Sequence, residues 1–108
     1  MPSIMFESGS TGGTTPSWQS YTGPDGPGIY IDVPVQSTSP PLPYTPAYSP
    51  TLHGTQAQWV VTGVTSIYNA TPTGFRIYLR RSDGGPLTPA DAVNNDWSIV
   101  WTAALTIQ

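Results

Sequence analysis

Ten of the thirteen prolines fall within the first 50 residues, and no other feature constrains the fold as much. Proline has no backbone N–H and a fixed φ, so a half-chain this rich in it holds neither a regular helix nor a set of central strands. Ser8 to Thr15 (SGSTGGTT) and Tyr21 to Gly28 (YTGPDGPG) read as loops punctuated by Gly and Pro. Asp25-Gly26 suits a tight turn, and Trp18 and Tyr21 serve as anchors. Residues 1–28 therefore form a Gly/Pro-rich N-terminal arm. Ile29, Ile31, Val33 and Val35 alternate with Tyr30, Asp32 and Pro34, the period-two pattern of a half-buried strand. Pro34 makes it an edge strand, or one whose end is free. Residues 36–55 read as a Pro-rich, polyproline-like connector lying on the domain, with Leu42, Tyr44 and Tyr48 available to pack. Pro40 to Pro43 has the outline of a PxxP ligand but lacks the flanking Arg or Lys of such motifs.

The second half is dense in strand signals. Gln58 to Thr62, Val64 to Tyr68 and Gly74 to Arg81 are β-branched or aromatic runs, separated by Gly63 and by a turn over Asn69 to Thr73. In the last run Phe75, Ile77 and Leu79 face one way and Arg76, Tyr78 and Arg80 the other, which pins the register. Ser82 to Gly85 follows as a turn. Thr88-Pro89-Ala90-Asp91 then reads as an N-cap, a proline at the first helical position and an acid at the third, starting one helical turn at most. From Trp97 to Ile107 apolar residues alternate strictly with Ser98, Val100, Thr102, Ala104 and Thr106, the clearest strand in the chain. Trp59, Trp97 and Trp101 lie on apolar alternations and are assigned to the core. Val100 and Ala104 leave an apolar stripe on the outer face, which a threefold partner would cover. The expected architecture is a single all-β domain over residues 1–108, a small antiparallel β-sandwich of two packed sheets, assembled as a homotrimer.

Composition narrows function by exclusion. Only 8% of residues are charged, Lys is absent, and Arg76, Arg80 and Arg81 are the only side-chain cations against a net charge of −3. Nucleic acid, whose affinity rests on many phosphate contacts, is excluded as a partner. No apolar run approaches the roughly 18 residues of a membrane span, so membrane insertion is not expected. Met1 to Phe6 is too short for a signal h-region, and no signal peptide is visible. The absence of cysteine removes disulfides, thiolate metal sites and thiol nucleophiles. One His, one Glu and five Asp are a thin supply for catalysis, and the chain is read as a non-enzyme without cofactor or metal. His53 has no neighbouring carboxylate and reads as a satisfied loop histidine. Asp91 to Asp96 (DAVNND) is oxygen-rich, yet it lacks the alternating ligands and the bidentate Glu of a calcium loop. Asn69-Ala70-Thr71 fits the N-glycosylation pattern, relevant only to a secreted eukaryotic chain.

The positive signal is twelve aromatic residues on a surface almost free of charge, a composition suited to neutral hydroxylated ligands. Sugar rings offer C–H faces to Trp and Tyr, and their hydroxyls need fixed donors and acceptors. The candidate ligand-binding residues are Arg76, Tyr78 and Arg80 on one strand face, Asp83 in the following turn, and Asn94, Asn95 and Asp96 beyond it. An intersubunit or solvated strand face is the competing reading for the Arg and Tyr.

The run VTGVTSIYNATPTGFRIYLRR, followed by WSIVWTAA, resembles the H-type lectin-like family. The matching residues are Val64, Thr65, Thr73, Gly74, Phe75 and Ile77, then Ile99, Trp101 and Ala103. The resemblance implies a small antiparallel β-sandwich that forms trimers, with glycan sites at one end near the subunit boundaries. The turn SDGGPLTPADA is similar to modules of microbial surface and phage tail proteins. Two expectations follow. One is a lectin-like adhesion module at a phage tail-fibre tip or microbial surface, binding host-surface glycan. The other is a structural virion component, capsid-decorating or tail, that contacts neighbouring virion proteins without binding sugar. Both place the chain on a virion or extracellular surface.

Overall fold

The computed structural model describes residues 3–11, 18–24, 26–35 and 44–107. In chain order the strands are β1 (Ser3–Ser10), β2 (Gln19–Tyr21), β3 (Gly28–Pro34), β4 (Ala47–His53), β5 (Val61–Thr62), β6 (Tyr68–Thr71), β7 (Gly74–Arg81) and β8 (Ser98–Ile107). The helix α1 (Pro89–Asn94) lies between β7 and β8. Two antiparallel sheets result. One has the order β1-β8-β4; in the other, β2, β3 and β7 are adjacent and β7 also carries β5 and β6.

The core lies between the sheets. In β3 and β7 the alternation seen in the sequence becomes a cross-strand ladder in which Ile29 faces Leu79, Ile31 faces Ile77 and Val33 faces Phe75. All six are buried. From the other sheet Ile99, Trp101 and Ala103 close the same cluster, and Tyr48 reaches across to Phe75 with ring centroids 4.5 Å apart. Trp97 and Trp101 are buried as expected, and the all-β sandwich is the fold. At Gly9, opposite Trp101, a Cβ would lie 2.6 Å from Trp101 Cζ2, so the indole occupies the space a side chain would need.

Several local expectations are corrected. Ser8 to Ser10 belong to β1 rather than to a loop, and the N-terminal arm contributes two strands, β1 and β2. The connector contains a true strand, β4, with a buried Pro50; this is tolerated because among the described residues β4 pairs only with β8. Residues 36–43, including Leu42 and the PxxP outline, lie outside the described residues. Gln58–Val60 is a 3₁₀ turn entered through a left-handed Ala57 (φ 68°), which moves Trp59 off the core and leaves it 87% exposed. Val64 to Ile67 is a turn whose Val64 and Ile67 still pack on the core, and the strand follows it at Tyr68–Thr71, where a turn was expected. Pro34 ends β3, and β2 pairs only with Gly28 to Tyr30; from Ile31 onward β3 has just β7 beside it among the described residues. The Thr88 capping box forms with Asp91, and the helix it starts runs six residues rather than a single turn.

Candidate functional site

The register of β3 and β7 assembles a polar and aromatic surface on the outside of the larger sheet. Asp32 lies directly across from Arg76, and Tyr30 across from Tyr78. Arg76 Nε donates to Asp32 Oδ1 at 2.6 Å and Nη2 to Oδ2 at 3.0 Å, a two-pronged ion pair. The hydrogen bonds from Arg76 hold the Asp32 carboxyl below its usual range, and those to Asp32 and Tyr78 raise the affinity of Arg76 for its proton. The guanidinium carbon stands 4.3 Å from the centroid of Tyr30, over the ring, while Nη1 donates to the Tyr78 hydroxyl at 3.2 Å.

Tyr78 is the hub of this surface. Tyr21 and Tyr68 meet it edge-on at centroid distances of 5.1 and 5.0 Å, and Tyr30 meets it tilted at 5.5 Å. Four tyrosines from β2, β3, β6 and β7 thus converge, held by cross-strand placement rather than by loops. Beside them an open cleft of about 570 Å³ is lined by Tyr21, Tyr68, Tyr78, Thr62, Ser66 and Arg80, with Pro27 and its flanking glycines at the rim. Gly63 (φ +113°) brings its backbone against the Tyr78 carbonyl, an approach and a conformation that only glycine permits.

Of the residues singled out in the sequence, Tyr78 and Arg80 line this cleft, and Arg76 flanks it on the same face, bonded to Tyr78 and Asp32. Asp83 is placed elsewhere: Arg81 Nε and Nη2 donate to its carboxylate at 3.1 and 3.0 Å, and the Gly85 N–H donates at 2.8 Å. Those bonds hold its pKa down to about 2 and commit it to the β7–α1 turn. Asn94, Asn95 and Asp96 do not join the cleft either. The Asn95 carbonyl accepts from the Thr55 N–H and hydroxyl, anchoring the chain after β4, and Asp96 takes the left-handed turn (φ 57°) into β8. Asp91 accepts at the helix cap, and among the described residues no group of three His, Asp or Glu stands ready for a metal. His53 ends β4, its ring 3.1 Å from the Thr51 hydroxyl.

Tyr21, Tyr30, Asp32 and Tyr68 are the site residues that sequence reading missed. The alternation of Tyr30 and Asp32 with buried aliphatics was the available signal, since it puts them on the face that Arg76 and Tyr78 share once β3 and β7 pair. Compared with family models, curated proteins and solved structures, the chain gives no significant match.

Proposed function

We propose that this protein is a non-enzymatic glycan-binding or adhesion module that receives a sugar in the tyrosine cleft, displayed on a virion, as at a tail-fibre tip, or on a microbial surface. The observation that carries the reading is the convergence of Tyr21, Tyr68 and Tyr78 with Arg80 around one open cleft on a sheet face. Tyrosines offer ring faces to sugar C–H groups and phenol hydroxyls to sugar oxygens, and Thr62, Ser66 and Arg80 add fixed polar partners. Cross-strand bracing by Arg76 and Asp32 pre-organises the rings, so little conformational entropy is lost on binding. The H-type lectin-like resemblance and the phage-tail-like turn support the same reading and its virion or surface setting.

The second reading, a structural virion component, is favoured by a different observation: Ile4 and Phe6 are 59% and 71% exposed on the other sheet. A glycan array followed by titration of the best ligand tests the first against the second. Saturable binding that is lost in Tyr78→Ala and Tyr68→Ala, both folded, is expected. No saturable sugar, or binding indifferent to both substitutions, overturns the glycan assignment.

A further inference from the structure

The sheet edges of this protein are closed very unequally. β4 carries Pro50 at its middle, β2 has three residues, and β5 and β6 have two and four, with an irregular register between β6 and β7. Short strands, prolines and irregularities of this kind keep edges from pairing with other chains. β1 has none of them. It runs eight residues without Pro, Lys or Arg, pairs with β8 at every position along one side, and has no strand on its other side among the described residues.

The phase of the β1–β8 ladder is fixed just beyond its end. The Thr11 N–H donates to the Ile99 carbonyl at 2.9 Å, and the Ile99 N–H donates to the Thr11 hydroxyl at 2.8 Å. By the alternation of an antiparallel pair, Gly9, Glu7 and Met5 then direct their backbone groups to β8, while Ile4, Phe6 and Ser8 direct theirs outward. The outward set also carries the most exposed apolar side chains of the strand.

We propose that the outer edge of β1 from Ile4 to Ser8 pairs with the same segment of a second copy of this chain, antiparallel about a two-fold axis at Phe6. Residues facing each other across an antiparallel pair share a sheet face, so their numbers must sum to an even value. Centring on Phe6 sets Phe6 against its own copy, Ile4 against Ser8 and Met5 against Glu7. Centring on Glu7 would oppose two carboxylates, and centring on Ser8 would set Phe6 against a serine. Centring on Met5 shortens the ladder to Ser3–Glu7. The Phe6 register makes three outward-facing pairs, hence about six ladder hydrogen bonds. It joins two three-stranded sheets into one of six, and the stripe of Ile4, Phe6 and Ala104 runs unbroken across the joint. Such a contact is isologous and closes as a dimer, where the sequence pattern led to a threefold partner. The tyrosine cleft lies on the opposite sheet, and the pairing stands whether or not that cleft takes a glycan.

Light scattering and sedimentation of the full chain at micromolar concentration should give twice the 11.5 kDa chain mass. Ser8→Pro deletes an outward donor and leaves the β1–β8 bonds in place, so it should yield a monomer with a cooperative thermal transition. In this cysteine-free chain, Phe6→Cys should form a disulfide-linked dimer under mild oxidation. Ile4→Cys should not, because two Ile4 positions would lie about 13 Å apart along the paired strands, beyond disulfide reach. A monomer or trimer for the parent chain overturns the proposal, as does a dimer that survives in folded Ser8→Pro. Cross-linking through Ile4→Cys rather than Phe6→Cys also overturns it, and that arm decides the matter even where the proline variant fails to fold.

Discussion

Gly9 and Trp101 should behave as a single packing unit, which a double-mutant cycle can measure. The indole is 5% exposed and held edge-on by Tyr48 and Phe75 at centroid distances of 6.4 and 6.5 Å, so it has no room to move away from β1. A Cβ on Gly9 would sit 2.6 Å from Cζ2 and 2.9 Å from Cε2, well inside the 3.5–4.0 Å of a normal carbon contact. Gly9→Ala should therefore incur an overpacking cost of about 1–3 kcal/mol. Relief of a strand glycine returns about 0.5–1 kcal/mol, leaving a net loss near 1–2 kcal/mol. Trp101→Ala should lose about 3–5 kcal/mol, on the order of 20 °C in Tm. Once the indole is gone the alanine at position 9 meets open space, and only its gain remains. The double variant should be about as stable as Trp101→Ala or slightly more so, a coupling near 2 kcal/mol. Urea titrations followed by far-UV circular dichroism read all four corners, and Trp101→Leu replaces Trp101→Ala if the latter does not fold. Losses that add within about 0.5 kcal/mol would refute the packing argument.

Arg80→Ala should weaken glycan binding by about 1.5–3 kcal/mol with the fold retained, as read by titration calorimetry; unchanged affinity removes Arg80 from the site. Asp32 and Asp83 have folded pKa values below the 3.8 of an unperturbed Asp, so their contribution to stability is complete above that value and disappears as the pH falls through each folded pKa. NMR titration of the carboxyl carbons should find Asp83 at about 2, and a value at or above 3.8 for either group contradicts its ion pair. Thr88→Ala should cost about 1 kcal/mol through loss of the helix cap in thermal melts, and an unshifted melting curve would show that the cap contributes nothing. Trp59→Ser should change stability by no more than about 0.5 kcal/mol despite the size of the residue, and a large loss would place Trp59 in the core after all.

What the sequence made legible was the part in which each strand carries its own instructions. β7 and β8 alternate so regularly that their bounds and buried faces follow from pattern alone, and the helix cap follows from Thr88, Pro89 and Asp91. β1 was not legible because its outward Ile4 and Phe6 are the more exposed side chains and its residues are Ser- and Gly-rich; β8 supplies the partner that makes it a strand. β4 was hidden by Pro50, which is excluded only from strands paired on both sides. For Trp59, the left-handed Ala57 turns the backbone before the strand begins and reverses the face that alternation assigned. The site was half visible. Arg76, Tyr78 and Arg80 share a face by period alone, whereas Asp83 left the group because a nearer cation, Arg81, holds it. Tyr21 and Tyr68 required the pairing partners of β3 and β7, which no local pattern specifies.

The central place of β8 in the smaller sheet sets the order in which the molecule can form. β1 and β4 each pair with β8 and not with each other, so among the described residues that sheet has no strand pair until β8 is present. Without β8, β3 and β7 can still pair, but their buried faces, Ile31 and Ile77 among them, stay open to water. Closure must then bring together residues as distant in sequence as Ser3 and Ile107, an entropic toll that places folding toward the slow, millisecond-to-second end of the range for small domains. A chain in which β8 has not docked is a half-built sandwich with one greasy face, the kind of intermediate that chaperones hold and that aggregates without them.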